Sequence, residues 1–357
     1  MPTFPFLKLP PNLQDAIARE LELLDLFLLS QCSKKSFDIV RIAQSKSHTP
    51  LLLDINIGYS STITLKHFQD RIFEFEFYHK RDPEILDLEN PRPYRVYGLT
   101  RTIDLHQEFE RFGKFGCSSD LSSSEMFLFI AQIMKLFNAK ISILDFHPIQ
   151  MDCIKGLISI GTLTECELIF IKSGRVTHDE MTMILEGVQA KEWCILCRTD
   201  RGFSCKTKIT ADLFFLQRNS WINIANLLDC KQIDLRYSVL TNQDLNTFIR
   251  HWLNGTDRKL EVFCNWTHDY EDQKNKLDLG EIVKGLPAIP GTPKRQDATS
   301  YFDDYGDEIA YENGFDFKRS DGMLATVTVN REQYSQSGLT TFVFIVWHDP
   351  NPYLIAP

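Results

Sequence analysis

The residue pattern predicts an α/β protein: three short N-terminal helices, a run of strand–helix units stacked as a solenoid, and additional C-terminal antiparallel β-strands. Three observations carry this. The leucine-dense stretch Phe4–Ala43 is broken into helix-length pieces by capping residues. The segment Cys166–Val188 lines up without gaps with Cys230–Trp252. Between Phe315 and Trp347, apolar and polar residues alternate around an Asp-Gly step.

With 357 residues, the chain has room for two or three units at about 150 residues each. The pattern divides it into residues 1–45 (helical), 46–120 (a β-rich connecting region), 121–286 (the repeats) and 287–357 (a linker and a β-hairpin region). A hydrophobic share of 43% with 24% charged residues excludes wholesale disorder. Thirty-nine basic residues against 48 acidic ones give a net charge of −9. That argues against a nucleic-acid or anionic-membrane binder, which needs a basic footprint to displace counterions. Basic runs are no longer than pairs such as Lys34-Lys35. There is no stretch of 18 apolar residues to span a membrane. The opening MPTFPFLKLPP lacks the charged and apolar regions of a signal peptide, so the chain is expected to be intracellular, cytoplasmic or nuclear. Its nine cysteines are then reduced thiols, several of them buried, and the sequons at Asn254 and Asn265 go unused.

Taken in order, Leu9-Pro10-Pro11 is an extended entry, since proline disfavours helix at the residue before it. A helix from Asn12 would carry Leu13, Ile17, Leu21 and Leu24 as one apolar stripe. Asp25 is placed to cap a second helix holding Leu26, Leu28, Leu29 and Cys32. A third piece from about Ser33 puts Phe37, Val40 and Ala43 on one side. So small a unit has too little interior for this much leucine, and the excess apolar surface calls for a partner.

Leu9-Pro10, Ile17, Leu21, Asp25-Leu26, Leu29-Ser30, Cys32 and Phe37 fall in the register of an F-box. The stretch therefore resembles that family over roughly 40 residues. It departs from the pattern at Pro11 and in lacking the glutamate that usually follows the Leu-Pro step, which implies weaker pairing by the first helix. The resemblance implies docking onto a Skp-type adaptor, and through it a cullin-RING ubiquitin ligase. The contacts would come from Leu9, Pro10, Leu13, Ile17, Leu21, Leu26, Leu29 and Phe37, with the rest of the chain presenting a protein substrate.

Next, Leu51–Ile57 and Thr62–Leu65 flank a Gly/Ser turn and read as a hairpin, and Ile72–Tyr78 alternates as a third strand. Residues 79–119 read as a long polar connection, ordered only around Tyr94–Leu99 and Ile103–Phe109. Ser122 to Glu125 is a helix-start signal for the apolar run Met126–Phe137. Short strands are expected at Ile141–Leu144, Glu167–Ile171, Trp193–Leu196, Gln232–Leu235 and Leu260–Phe263, with helices at Asp179–Gly187 and Asn242–Leu253. In the internal match, each half is a strand, a turn ending in threonine (Thr177, Thr241) and an amphipathic helix. This looks like degenerate leucine-rich repeats, which bury their faces only by stacking into a curved parallel sheet. Leu277–Leu286 suits one short helix, residues 287–295 a linker, and Phe315–Lys318, Met323–Val329 and Thr341–Trp347 three closing strands.

The stretch Phe214–Phe263, with Trp221, Cys230 and Leu240–Leu245, is similar to the type 2 F-box-associated region of a large nematode family, as is the closing GFDFKRSDGMLATV. That resemblance implies a target-facing role without naming contact residues.

No chemistry stands out beside this. Cys194 and Cys197, with Cys205, have a metal-like spacing. They lack a fourth ligand, and their inner residues are apolar, so buried thiols are the expectation. Cys117, His178 and His251 have no catalytic signature, Gly113-Lys114 is no phosphate loop, and Asp303–Glu308 lacks the alternating oxygens of a calcium loop. The expectation is a non-enzymatic protein without cofactor or metal. The alternative role is a stand-alone leucine-rich-repeat-like scaffold whose N-terminal helices cap the solenoid.

Overall fold

The structure, a computed structural model, describes residues 5–46, 50–58, 61–67, 70–78, 92–94, 103–109, 114–118, 121–218, 221–256, 259–268, 276–290, 301–302, 308–309, 314–331 and 339–348. It is a mixed α/β protein in which strands dominate and several helices pack on them. Two compact units emerge, residues 1–174 with 179–190, and residues 175–178 with 191–357.

The first unit opens with a 3-10 turn, Phe6–Lys8, and three helices, α1 (Pro11–Glu20), α2 (Leu23–Gln31) and α3 (Lys34–Ser45). Leu9 and Pro10 are extended, and α1 starts at Pro11, a residue tolerated at a first helical position because its missing N–H has no partner there anyway. Asp25 is not the cap of α2. The helix begins at Leu23 behind an extended Glu22, and Asp25 sits in its first turn, where a carboxylate complements the helix dipole. Ser33 does cap α3, its hydroxyl accepting from the Ser36 amide at 3.1 Å.

The strands of this unit are β1 (Leu52–Ile57), β2 (Ser61–His67), β3 (Asp70–Tyr78), β4 (Arg92–Tyr94), β5 (Ile103–Phe109), β6 (Lys114–Ser118), β7 (Lys140–Phe146) and β8 (Glu165–Ile171). Their order is β8-β7-β1-β2-β3-β6-β5-β4. β1 pairs antiparallel with β2 and parallel with β7, while β7 pairs parallel with β8. Residues 79–119 are therefore more than a connection: β6 joins β3 in parallel, and β5 and β4 extend the sheet. Lys114, Gly116 and Ser118 interrupt the apolar content of β6, which left no hydrophobic run to read. Of the piece expected at Tyr94–Leu99, Tyr94 lies in β4, and residues 95–99 lie outside the described set.

Helix α4 (Ser123–Phe137) has the capping box its sequence announces, with Ser122 and Glu125 satisfying each other's backbone, and it stops at Asn138 in left-handed conformation. α5 (Met151–Ser159), not foreseen, links β7 to β8, and α6 (His178–Gly187) follows β8. α3 packs on α4, and Phe27 of α2 meets Phe75 of β3 edge-on at 5.0 Å. Phe75 in turn meets Phe129 of α4 at 5.0 Å.

The second unit contains β9 (Arg175–Val176), most of β10 (Gln189–Ile195), β11 (Arg198–Thr199), β12 (Leu213–Gln217), β13 (Gln232–Arg236) and β14 (Val262–His268). β10, β12, β13 and β14 run parallel and adjacent in chain order, and β9 pairs with β11 separately. β12, whose apolar run Leu213–Leu216 shows no alternation, is an unforeseen strand. A 3-10 turn, Ile224–Leu227, precedes β13, and α7 (Asn242–Asn254) follows it. α7 buries Leu245, Phe248, Ile249 and Trp252, and its Phe248 lies 4.8 Å from Phe263 of β14. In the internal match, Met181 and Ile184 of α6 are buried, as are Leu245 and Phe248 of α7.

After α8 (Leu279–Val283) come β15 (Ile289–Pro290), β16 (Tyr301–Phe302), β17 (Glu308–Ile309), β18 (Phe315–Lys318), β19 (Leu324–Arg331) and β20 (Leu339–Trp347). β18, β19 and β20 are successive antiparallel neighbours, and β20 pairs antiparallel with β14. The expected linker is partly structured, because Ile289 and Pro290 pair with β18. Residues 291–300 and the acidic run Asp303–Asp307 lie outside the described set. Gly322 has φ +92° in the β18–β19 turn, a conformation that favours glycine.

Candidate functional site

Two surfaces answer to the sequence reading, one in each unit. The first is the N-terminal trio. Its inward face on α1 is formed by Gln14 and Ala18, both buried, and α1 packs on α3. The Gln14 side-chain nitrogen donates to the carbonyl oxygens of Phe6 (3.2 Å) and Leu9 (3.0 Å), which holds the extended Leu9-Pro10 entry against the helix. With that face occupied by Gln14 and Ala18, the larger apolar residues of α1 keep some exposure. Leu13 is 47% exposed, Ile17 and Leu21 are half-buried, and so is Leu9, while Pro10 is exposed.

Leu29 is half-buried, whereas Leu26 and Phe37 are 1% and 4% exposed and belong to the interior of the unit. They are buried together with Phe27 and Val40 of the same two helices and so are not part of the exposed apolar surface of the trio. Leu7 and Ile42, at 38% and 46%, are exposed apolar residues that the motif did not point to. The side chain of Leu24 lies outside the described set. Asp15 ties α1 to the end of α3 through Lys46 (3.1 Å) and bonds Arg19 (3.0 Å). The hydrogen bond from Lys46 holds the Asp15 carboxyl below its ordinary range.

The second surface lies between the 3-10 turn before β13 and α7. Thr241 caps α7, its hydroxyl accepting from the Asp244 amide (3.2 Å), while the Asp244 carboxylate accepts from the Thr241 amide (2.8 Å) and hydroxyl (2.7 Å). This fixes Asp244 among the residues lining a pocket of about 270 Å³. Ile222, Ile224, Leu240 and Phe248 give its apolar lining, and Asn223, Asp244, Thr247 and His251 its polar one. Tyr237 and Val239, just before Leu240, are exposed. α8 is strapped onto α7 by polar side chains, with Asn246 donating to the Ile282 and Lys284 carbonyls (2.6 and 3.0 Å) and Arg250 to that of Gly285 (3.2 Å). His251, by contrast, lines the pocket. No motif signalled this pocket, because its residues are separated in sequence and individually ordinary.

Cys194, Cys197 and Cys205 are buried. Burial pushes the Cys197 thiol up to about 12, as it does those of Cys153, Cys166 and Cys230. His178 bonds the Asp200 carbonyl through Nε2 (3.0 Å) and lies 5.3 Å from the Phe203 ring. The side chain of Cys117 lies outside the described set. Among the described residues, no group of three or more acidic, histidine or cysteine side chains could hold a metal ion, and no helix is long and apolar enough to cross a membrane.

Residues 205–264 match the family model described as "F-box associated", a span that includes the whole pocket. The chain is also 22% identical over 357 residues to "Uncharacterized protein F59B2.9" of Caenorhabditis elegans, an alignment covering 97% of this chain and 79% of the relative. No solved structure matches the chain significantly.

Proposed function

We propose that this protein is the substrate-recognition adaptor of a Skp–cullin–F-box type ubiquitin ligase. The observation that carries the reading is the outward-facing apolar side of α1, Leu13 with Ile17, on a chain whose residues 205–264 match an F-box-associated model. The N-terminal trio acts as the F-box and binds a Skp-type adaptor, and through it cullin. The leucine-rich-repeat-like region, residues 121–286, recruits a protein target. Apolar burial supplies the docking energy, with a few central side chains dominating. The protein works by binding inside the cell and not by catalysis. Thiols such as Cys197, pushed up to about 12 by burial, suit interior packing better than nucleophilic attack.

The experiment is co-expression with a Skp-type adaptor followed by size-exclusion chromatography. One-to-one co-elution, lost in the Leu13→Asp/Ile17→Asp variant while its circular dichroism spectrum is kept, supports the reading. A folded wild-type chain that elutes without the adaptor sinks it.

A second reading is favoured by a different observation. Phe27, Phe75 and Phe129 form a continuous aromatic contact from α2 through β3 to α4. On this reading the trio caps a stand-alone interaction scaffold. Removing residues 1–45 then yields an insoluble remainder, and the adaptor does not co-elute with the full chain.

A further inference from the structure

We propose that the pocket between Ile222–Ala225 and α7 seats one aliphatic side chain of a target polypeptide that carries a lysine or arginine close beside it. The inference deepens the target-recognition reading and rests on it. Size speaks first. At about 270 Å³ the pocket lies at the lower edge of the ~300–1,000 Å³ usual for small-molecule sites and has room for a side chain of a longer segment. Its chemistry speaks next. The largely buried Ile224, Leu240 and Phe248 side chains give an apolar floor, and the exposed Tyr237 and Val239 stand just before Leu240 in the chain.

Charge decides the rest. Asp244 is the only carboxylate among the lining residues, and no lysine or arginine lines the pocket. Its carboxylate takes two bonds from Thr241 and, among the described residues, pairs with no cation. A basic side chain entering beside the seat meets a carboxylate that the cap of α7 holds in place and that no lining lysine or arginine pairs, whereas an acidic one is repelled. The chain's net charge of −9 acts in the same sense at longer range and steers a basic segment toward it.

The test pans a phage-displayed library of random twelve-residue peptides against the full chain, then measures the consensus peptide on two variants. Thr247→Arg puts a cation and bulk into the pocket; Thr247 is exposed and its hydroxyl bonds only its own helix, at Gln243 (2.8 Å), so the variant should fold. Ala225→Phe fills the pocket from the opposite wall. The expected result is a consensus with an aliphatic residue within two positions of a lysine or arginine, binding at least tenfold more weakly to both variants. Panning that yields no consensus, an acidic consensus, or peptides that bind the variants like the wild type overturns the proposal. Adaptor co-elution, which reads only the N-terminal trio, should be unchanged in both variants. Its loss in the wild type would sink the ligase reading and leave the peptide result standing.

Discussion

The side-chain amide of Gln14 donates to the main-chain oxygen of Leu9 at 3.0 Å, and it shares itself with the oxygen of Phe6 at 3.2 Å. A buried amide thus closes the chain entry onto the inner side of α1, and the apolar stripe of that helix is left facing out. Replacing Gln14 with leucine takes the side-chain donor from the Leu9 carbonyl and leaves the Phe6 carbonyl with the Leu9 amide as its remaining donor, at about 1–3 kcal/mol. Gln14→Glu should cost more, since a carboxylate facing two carbonyl oxygens has nothing to donate at neutral pH. Urea unfolding midpoints should fall in the order wild type, leucine, glutamate. An unchanged midpoint for Gln14→Glu would contradict the assignment.

Phe27 is fully buried and packs edge-on against Phe75. Phe27→Ala removes a large side chain from a closed aromatic cluster, and such truncations cost about 3–5 kcal/mol. The loss should appear as a lowered thermal midpoint of the first unit, together with new dye binding to exposed apolar surface. Leu13→Ala, on the exposed side of the same trio, should change the stability by no more than about 0.5 kcal/mol.

The Arg319 guanidinium is fully buried, held by two bonds to Asp321 (2.9 and 2.8 Å) and stacked 4.9 Å from the Trp252 ring centre. It fastens the β18–β19 turn to α7. Asp321→Ala leaves that charge short of its fork partner, and Arg319→Lys loses both the planar fork and the stacking. Each should lower stability by about 1–3 kcal/mol, read as a lowered urea unfolding midpoint. A neutral Arg319→Lys variant would show that the fork geometry contributes nothing.

Burial pushes the thiols of Cys153, Cys166, Cys197 and Cys230 up to about 12, so almost none of each is thiolate at pH 8. Cys32 is exposed. In a Cys117→Ser background, a thiol-reactive disulfide reagent at pH 8 should show one fast phase, removed by Cys32→Ser, and a slow remainder released by denaturant. Several fast thiols in the native protein would overturn the buried assignment.

How much of this was legible beforehand depends on the range of the interaction. Helix caps are local, so Ser33, Ser122 and Thr241 could be read directly, as could the Asp321-Gly322 turn. The matching halves at Cys166 and Cys230 each proved to be a strand followed by a helix, because period and cap travel together in a short segment. Asp25 misled because a carboxylate suits the first turn of a helix as well as its cap. β6 and β12 were hidden because neighbouring strands, not their own alternation, hold them in the sheet.

Residue order alone therefore pointed to an α/β chain with a helical start, two matching strand–helix halves and closing antiparallel strands. It could not say which side of each element is buried, since that depends on what distant segments bring against it. Packing put Gln14 and Ala18 inward on α1, leaving Leu13 and Ile17 to the surface, and drew Leu26 and Phe37 into the interior. It also joined Ile222–Ala225 to α7 around a pocket and buried Arg319 against Trp252. Spacing along the chain sets a periodicity; only contacts between remote residues choose the face that loses water, and with it the surface left for a partner.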